Sequence, residues 1–220
     1  MSVLPEKHLI IVAGPNGAGK STYSYKFSDK ESIVYDPDKE SQKIQDKYQN
    51  LPAESIYYFI NNHFQDQVAK AIKSKKDFIL ETNFRDFQLM EVVDQFKRKG
   101  YTVNLMYFLL SSEKESMHRV TSRVSKGGHF VDTHSIRLNY DEGLKNLQYF
   151  AHRFDNILIL DATRRIGQQE PLLNLGRNRI KFISQHIPSW AEPVIQPLMT
   201  SLLLNQKPEN DNAPTTGLDR

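Results

Sequence analysis

The chain has 220 residues, 39% apolar and 25% charged, a composition typical of a folded soluble domain and atypical of a disordered chain. Twenty-nine Lys and Arg residues against 26 Asp and Glu residues leave a net charge of +3, too small an excess to indicate nucleic-acid binding by itself. The absence of cysteine excludes disulfides, cysteine-ligated metals and thiol nucleophiles. No apolar run reaches membrane-spanning length and no secretory leader is recognisable, so we expect no membrane association and a cytoplasmic protein.

Apolar runs alternate with helical patterns along most of the chain. The first run, residues 8–13, is continuous rather than alternating, as expected of a strand buried on both faces. Such alternation predicts an α/β fold, with a parallel sheet covered by helices on both sides. The predicted strands are 8–13, 33–35, 78–80, 103–110 and 157–160, and the predicted helices are 20–27, 52–73, 86–99, 113–125 and 133–154.

The pattern changes after residue 165. Residues 172–183, with Gly176, Arg177 and Asn178 in the middle, predict an antiparallel hairpin. The segment from residue 205 is polar and rich in Asn and Pro, which predicts a disordered tail.

One motif points directly to chemistry. Gly14 to Ser21 matches G-x-x-x-x-G-K-[ST] in full, after a strand and at the start of a helix. In such a loop, glycines let backbone N–H groups turn around phosphate oxygens, and the helix adds its positive end. Lys20 is expected to reach the β- and γ-phosphates of ATP, and the Ser21 hydroxyl to ligate Mg²⁺. The alternative is a glycine-rich turn that binds nothing.

Carboxylates follow three of the predicted strands. Asp36 and Asp38 follow the second, Glu81 the third and Asp161 the last. Because ligands of open parallel sheets lie at the carboxyl ends of the strands, these acids are expected around the γ-phosphate. Asp38 is the candidate base, and Glu81 would hold Mg²⁺ through water or orient the acceptor.

Each acid also has a simpler interpretation. Asp36-Pro37-Asp38 could form only a turn, and Glu81 could cap the following helix. Asp161 could lie near the nucleotide base or only cap the sheet.

A basic segment joins two predicted helices. Arg119 and Arg123 are four residues apart and so share a helix face, and Arg137 lies on the next helix. Such arginines can neutralise charge on a transferred phosphoryl group, and Gly127-Gly128 would let a lid close. His129 is a candidate lid contact. The alternative is a solvated basic helix end.

Together these residues resemble the zeta toxin-like P-loop kinases, including the branch called predicted ABC-type ATPases, over roughly residues 8–165. The lid with Gly127-Gly128-His129 is the most specific element. The lid helix departs from the family, because Arg137-Leu138-Asn139-Tyr140 stands where Arg-Arg-Arg-Tyr is usual. The matching segments are residues 13–22, 37–38, 81–82, 123–131, 136–140 and 144–147.

The resemblance implies a P-loop kinase-like three-layer sandwich with a mostly parallel sheet and a helical lid. The sequence pattern after residue 165 adds the small C-terminal hairpin as an extension of that fold. It implies Asp38 as the catalytic base, Glu81 as its acidic partner and arginines as phosphate ligands. The family's acceptor is a UDP-linked amino sugar, phosphorylated at its 3′-hydroxyl, and an antitoxin is a candidate partner. The implied phosphate-binding arginines are Arg119, Arg123 and Arg137. The expected ATP-binding residues are Gly14, Pro15, Asn16, Gly17, Ala18, Gly19, Lys20, Ser21, Thr22, Arg123 and Asp161.

The sequence therefore predicts an ATP-dependent kinase acting on a small molecule or a nucleotide sugar. A nucleotide-binding switch without transfer activity and a nucleic-acid-directed kinase are the alternatives, although nucleic acid is not expected as a partner. We expect a core at residues 1–165 with a lid at 119–140, an extension of the same domain at 166–204, and the tail at 205–220.

Overall fold

A computed structural model describes residues 6–26, 28, 31–48, 52–128, 130–165, 167–177 and 179–204. None of the helices within these ranges combines the length and the hydropathy that a membrane-spanning segment requires. In chain order the elements are β1 (His8–Ala13), α1 (Lys20–Ser24), β2 (Ile33–Tyr35), α2 (Pro37–Lys47), α3 (Ala53–Ser74), β3 (Phe78–Thr82), α4 (Leu89–Arg98), β4 (Thr102–Leu109), α5 (Glu113–Val124), α6 (Thr133–Phe150), β5 (Asn156–Asp161), β6 (Glu170–Gly176), β7 (Arg179–Ile183) and α7 (Glu192–Leu204).

Within the described part of the chain, seven strands form one sheet in the order β2-β3-β1-β4-β5-β6-β7. The first five of these are parallel, and β6 and β7 continue the sheet as an antiparallel pair. Val12 of β1 lies opposite Glu81 of β3, so Glu81 sits one residue before the point where the phosphate-binding loop leaves the sheet. The predicted α/β fold and its mostly parallel sheet are confirmed.

The two faces of the sheet carry separate apolar clusters, as expected of a three-layer fold. Leu9 and Ile11 of β1 point to the larger cluster, which α3, α4, α6 and α7 cover. Val12 points to the opposite, smaller cluster together with Phe108, and there Tyr23 of α1 packs against the Phe108 ring. Alternate residues of the strands thus serve opposite faces, and this explains why the runs are continuously apolar.

Two helices were not predicted. Helix α2 begins directly after β2, with Asp36 as its N-cap and Pro37 at its first position. The Asp36 carboxylate accepts hydrogen bonds from the amides of Asp38 (3.1 Å) and Lys39 (3.4 Å), so Asp-Pro-Asp starts a helix rather than forming an isolated turn. Helix α7 packs Val194, Ile195 and Leu198 into the larger cluster.

Other boundaries differ by a few residues. The helix expected at 86–99 begins at Leu89, and that expected at 133–154 ends at Phe150, followed by a 3₁₀ turn over Ala151–Arg153. The predicted hairpin is confirmed as β6 and β7. Helix α1 spans only Lys20–Ser24. The expectations for Phe27, His129, Asn178 and the tail 205–220 fall outside the described residues.

Asp155 connects β4, the turn between β6 and β7, and helix α4 at the edge of the sheet opposite the phosphate-binding loop. Its carboxylate accepts a hydrogen bond from the buried amide of Val103 (2.8 Å) and from the Arg177 guanidinium, and it lies 3.8 Å from the Lys97 ammonium. Burial opposes its ionisation, but the Val103 amide and these cations prevail and lower the pKa of Asp155.

Asp155→Ala should lower the free energy of unfolding by about 1–3 kcal/mol, because it leaves the buried Val103 amide without an acceptor. Urea unfolding at neutral pH measures the loss. Asp66→Ala, an exposed aspartate on α3, is the control and should change stability by less than about 0.5 kcal/mol. Equal effects of the two substitutions would contradict the role of Asp155.

Candidate active site

The phosphate-binding loop, residues 14–21, has a backbone that favours glycine. Gly14, Gly17 and Gly19 have φ angles of +139°, +80° and +85°. A Cβ on Gly14 would also lie 2.5 Å from the carbonyl oxygen of Phe108, so no side chain fits there. The loop therefore packs directly on β4.

Two other helices hold this loop in place. The Ser116 hydroxyl of α5 donates a 2.6 Å hydrogen bond to the Asn16 carbonyl. The Asn139 amide of α6 donates a 2.8 Å bond to the Asn16 side-chain oxygen. Both contacts are buried, and both fix the loop from the side where the lid was predicted.

Lys20 lies at the centre of the site. Its ammonium donates to the carbonyls of Gly14 (2.8 Å) and Pro15 (3.0 Å) and to the side-chain oxygen of Asn83 (2.9 Å). Burial lowers its pKa, and the negative charges of Glu81, Asp38 and Asp36 oppose that shift. The Lys20 ammonium is therefore buried beside the phosphate-binding loop, where it can contact phosphate oxygens.

Glu81 is buried beside the first turn of α1. Its two oxygens accept hydrogen bonds from the hydroxyls of Ser21 (2.8 Å) and Ser24 (3.2 Å). Burial raises the pKa of Glu81, Lys20 opposes the shift, and Asp36 adds to it. The carboxylate is thus directed at the hydroxyl that was predicted to ligate Mg²⁺.

Asp38 is exposed in the first turn of α2 and lines a cleft of about 280 Å³. Lys20 and Glu81 line the same cleft, so the phosphate-binding loop and both predicted acids are brought together. Among the described residues that line it, all except Pro37 are polar or charged, and none is aromatic. The residues that line the cleft are Lys20, Asp36, Pro37, Asp38, Glu81, Thr82, Asn83, Arg85, Asp86, Ser135 and Asn139.

Arg119 binds backbone rather than projecting into this cleft. Its guanidinium donates to the carbonyls of Ala162 (2.6 Å) and Thr163 (2.6 Å) and pairs with Glu115 at 2.8 Å. It also lies 3.5 Å from the Gly17 carbonyl, so it joins the phosphate-binding loop to the segment after β5.

The remaining residues that were predicted to bind ATP or its phosphates lie on several different elements. The largely exposed Arg137 pairs with Glu113 at 3.0 Å, and Asp161 accepts hydrogen bonds from the amide and hydroxyl of Thr163. The charge of Arg123 contributes to lowering the pKa of Lys20. Thr22 is exposed on α1. The roles assigned to these residues stay predictions.

Sequence reasoning missed the amide side chains of the site. Asn83 bonds Lys20, and Asn139 bonds Asn16. Asn139 occupies the third position of the lid segment that departs from the family pattern, which was the available signal. Asn83 had no signal beyond following Glu81-Thr82.

Comparisons with known proteins identify the family. The family model described as zeta toxin matches residues 3–169, about three quarters of the chain. The chain belongs to the zeta toxin family. An uncharacterized protein of Haemophilus influenzae is 27% identical to this zeta toxin family member over 136 residues, which cover 60% of this chain and 91% of that protein.

Two solved structures share the fold of this family member. One belongs to the PezAT chromosomal toxin–antitoxin system of Streptococcus pneumoniae, with 15% identity, a TM-score of 0.59, and coverage of 90% of this chain and 86% of that one. The other belongs to AvrRxo1-ORF1:-ORF2 with ATP, with 12% identity, a TM-score of 0.60, and coverage of 94% and 66%. At these identities the likeness establishes the fold.

Glu81→Gln should change how stability depends on pH. Because the pKa of Glu81 is raised above its ordinary value of 4.5, ionising this carboxyl favours the unfolded chain. The quantity to follow is the free energy of unfolding of the wild type minus that of Glu81→Gln. This difference should be constant at pH values below 4.5 and should fall as the pH rises through the raised pKa of Glu81. Urea unfolding without nucleotide, in steps from pH 4 upward, measures the difference.

The matched control is Glu91→Gln, an exposed carboxyl on α4. An equal slope for this control, or no slope for Glu81→Gln, would contradict the assignment to Glu81.

Proposed function

We propose that this chain is an ATP-dependent kinase that transfers the γ-phosphoryl group to a hydroxyl of a small polar acceptor. The observation that carries the proposal is the shared cleft of Lys20, Glu81 and Asp38. An ammonium at the phosphate-binding loop, an acid beside the Ser21 hydroxyl and an exposed carboxylate are the parts that phosphoryl transfer needs.

ATP fits the loop that the chain provides. Its left-handed glycines and the amino end of α1 suit a polyphosphate, and the Lys20 ammonium supplies positive charge beside them. The structural relative with ATP, AvrRxo1-ORF1:-ORF2, supports the same choice of nucleotide. Membership of the zeta toxin family supports the kinase class.

The donor set also fits Mg²⁺. The Ser21 hydroxyl and the Glu81 carboxylate are hard oxygen donors, and they lie 2.8 Å apart. Within the described residues no group of three or more His, Cys, Asp or Glu side chains could hold a metal ion. Mg²⁺ at nucleotide sites is usually bound by one or two protein oxygens together with phosphate and water. When bound, the ion would neutralise charge on the β- and γ-phosphates.

The transfer step follows from these positions. The oxygen of the acceptor hydroxyl bonds to the γ-phosphorus, and Asp38 accepts the proton of that hydroxyl. The bond from the γ-phosphorus to the bridging oxygen breaks, which releases ADP. Lys20 balances negative charge on the phosphoryl group in transit. Because Asp38 is exposed and lines the cleft, an acceptor hydroxyl can reach its carboxylate from the cleft.

The cleft also favours one class of acceptor. Its polar wall suits a hydroxylated group, and Arg85 adds one cation on the acceptor side. The UDP-linked amino sugar that the family resemblance implies meets both requirements, and we propose it as the first acceptor to test. Among the described residues that line the cleft, none has an aromatic side chain of the kind on which nucleic-acid bases stack.

Asp38→Asn should retain ATP binding and lose about 10²–10⁴-fold in transfer rate, because it removes the proton acceptor. Transfer is measured with ATP that carries a radiolabelled γ-phosphate, first with a metabolite extract as the source of acceptors and then with a UDP-N-acetyl amino sugar. Calorimetry measures the affinity for ATP. Asp46→Asn, an exposed aspartate further along α2, is the matched control and should behave as the wild type.

Equal transfer by Asp38→Asn and the wild type would contradict the role of Asp38. ATP binding without transfer to any acceptor would instead favour a nucleotide-binding switch.

We also propose an antitoxin as a protein partner, on the condition that the kinase is toxic. The support is the fold shared with a chain of the PezAT toxin–antitoxin system. Induced expression in a bacterial host should then arrest growth with the wild type and not with Asp38→Asn. Unimpaired growth with a well-expressed wild type would remove both the toxin role and the need for an antitoxin.

A further inference from the structure

One face of α6 contacts both sides of the candidate site. Asn139, Gly143 and Asn146 are spaced four and three residues apart, so they lie in one row along the helix. Asn139 bonds Asn16 in the phosphate-binding loop. The other two residues of the row contact the segment after β3, residues 83–86.

Asn146 binds this segment by its backbone. Its side-chain amide donates to the carbonyls of Phe84 (2.8 Å) and Arg85 (2.9 Å). An amide NH₂ has two hydrogens, so this group serves two successive carbonyls at once.

The segment needs such support because its backbone is strained. Phe84 has a φ of +58°, a left-handed conformation that residues with a Cβ rarely adopt. Its ring is fully buried beside Phe150 and Phe154, and its amide donates to the Thr82 hydroxyl at 3.0 Å. Ring burial and the two carbonyl bonds from Asn146 together hold the bend.

The bend places side chains on the cleft. The side-chain oxygen of Asn83 lies 2.9 Å from the Lys20 ammonium, and Arg85 and Asp86 line the same cleft. Gly143 lets α6 approach, because a Cβ there would lie only 2.6 Å from the Asn83 carbonyl oxygen. The helix is therefore as close to the segment as its backbone permits.

We propose that Asn146 is a positioning residue for phosphoryl transfer. It holds residues 83–86 in the left-handed bend and so keeps Asn83 on Lys20 and Arg85 at the acceptor. Asn139 holds the phosphate-binding loop from the same helix face, so α6 fixes the nucleotide side and the acceptor side relative to each other. The catalytic part of this inference rests on the proposed function.

Hydrogen exchange of the nucleotide-free protein tests the structural part without any activity. Asn146→Ala should speed amide exchange in residues 82–88 by about tenfold or more and leave residues 14–22 unchanged, because Asn146 does not touch the phosphate-binding loop. Asn146→Asp keeps the size of the side chain and removes both hydrogen-bond donors. It should therefore speed amide exchange in residues 82–88 in the same way, even if the alanine variant is unstable.

The matched control is Gln148→Ala. Gln148 also lies on α6 and donates a side-chain amide to a backbone carbonyl, that of Pro193 at 3.1 Å, away from the cleft. Equal exchange in residues 82–88 for Asn146→Asp, Gln148→Ala and the wild type would overturn the inference.

Kinetics test the catalytic part with the acceptor found for the wild type. Asn146→Asp should lower kcat by about tenfold to a hundredfold, the effect of a small misplacement, while the affinity for ATP stays within twofold. A merely structural role would lower the active fraction equally in every assay, including ATP binding. An unchanged kcat would overturn the inference, whereas no transfer by the wild type itself would mark failure of the proposed function.

Discussion

The buried ammonium of Lys20 is the constraint around which the site is arranged. A cation in a poorly solvated place must find acceptors, and Lys20 has two loop carbonyls, the Asn83 amide oxygen and nearby carboxylates. Glu81 is likewise buried, and its ionised form depends on the same cation. The charge of each group offsets part of the cost of burying the other. This explains why the phosphate-binding loop, β3 and the segment after β3 must meet at one point.

The fold that brings them together was predictable because its signals are local. Continuous apolar runs identified the five parallel strands, and the glycine-rich motif located the loop after β1. Helix α2 was missed although its signal is also local. Asp36 and Pro37 were interpreted as a strand end or a turn, whereas an Asp followed by Pro is equally a helix N-cap and first position.

The missed parts of the site depend on contacts across the chain. Asn83 bonds Lys20 from a segment in which the next residue, Phe84, adopts a left-handed conformation, and nothing in the sequence around Phe84 predicts a positive φ there. The predicted phosphate-binding role of Arg119 stays a prediction, and the fold brings its guanidinium to the carbonyls of Ala162 and Thr163, more than 40 residues away in the chain. A charge pattern identifies a cation, and only the fold decides which oxygens it meets.

The antiparallel pair β6 and β7 has a practical consequence for anyone who trims this protein. Strand β5 hydrogen-bonds to β6, and Leu173 and Leu175 of β6 enter the main apolar cluster together with side chains of α7. A fragment that stops near residue 165 would keep most of the segment matched by the family model, yet it would present the apolar strand Asn156–Asp161 with one row of backbone groups unsatisfied. Exposed strand edges of this kind promote self-association, so such a fragment should aggregate more readily than the longer chain, whose sheet ends on the short strand β7 with Arg179 and Lys181.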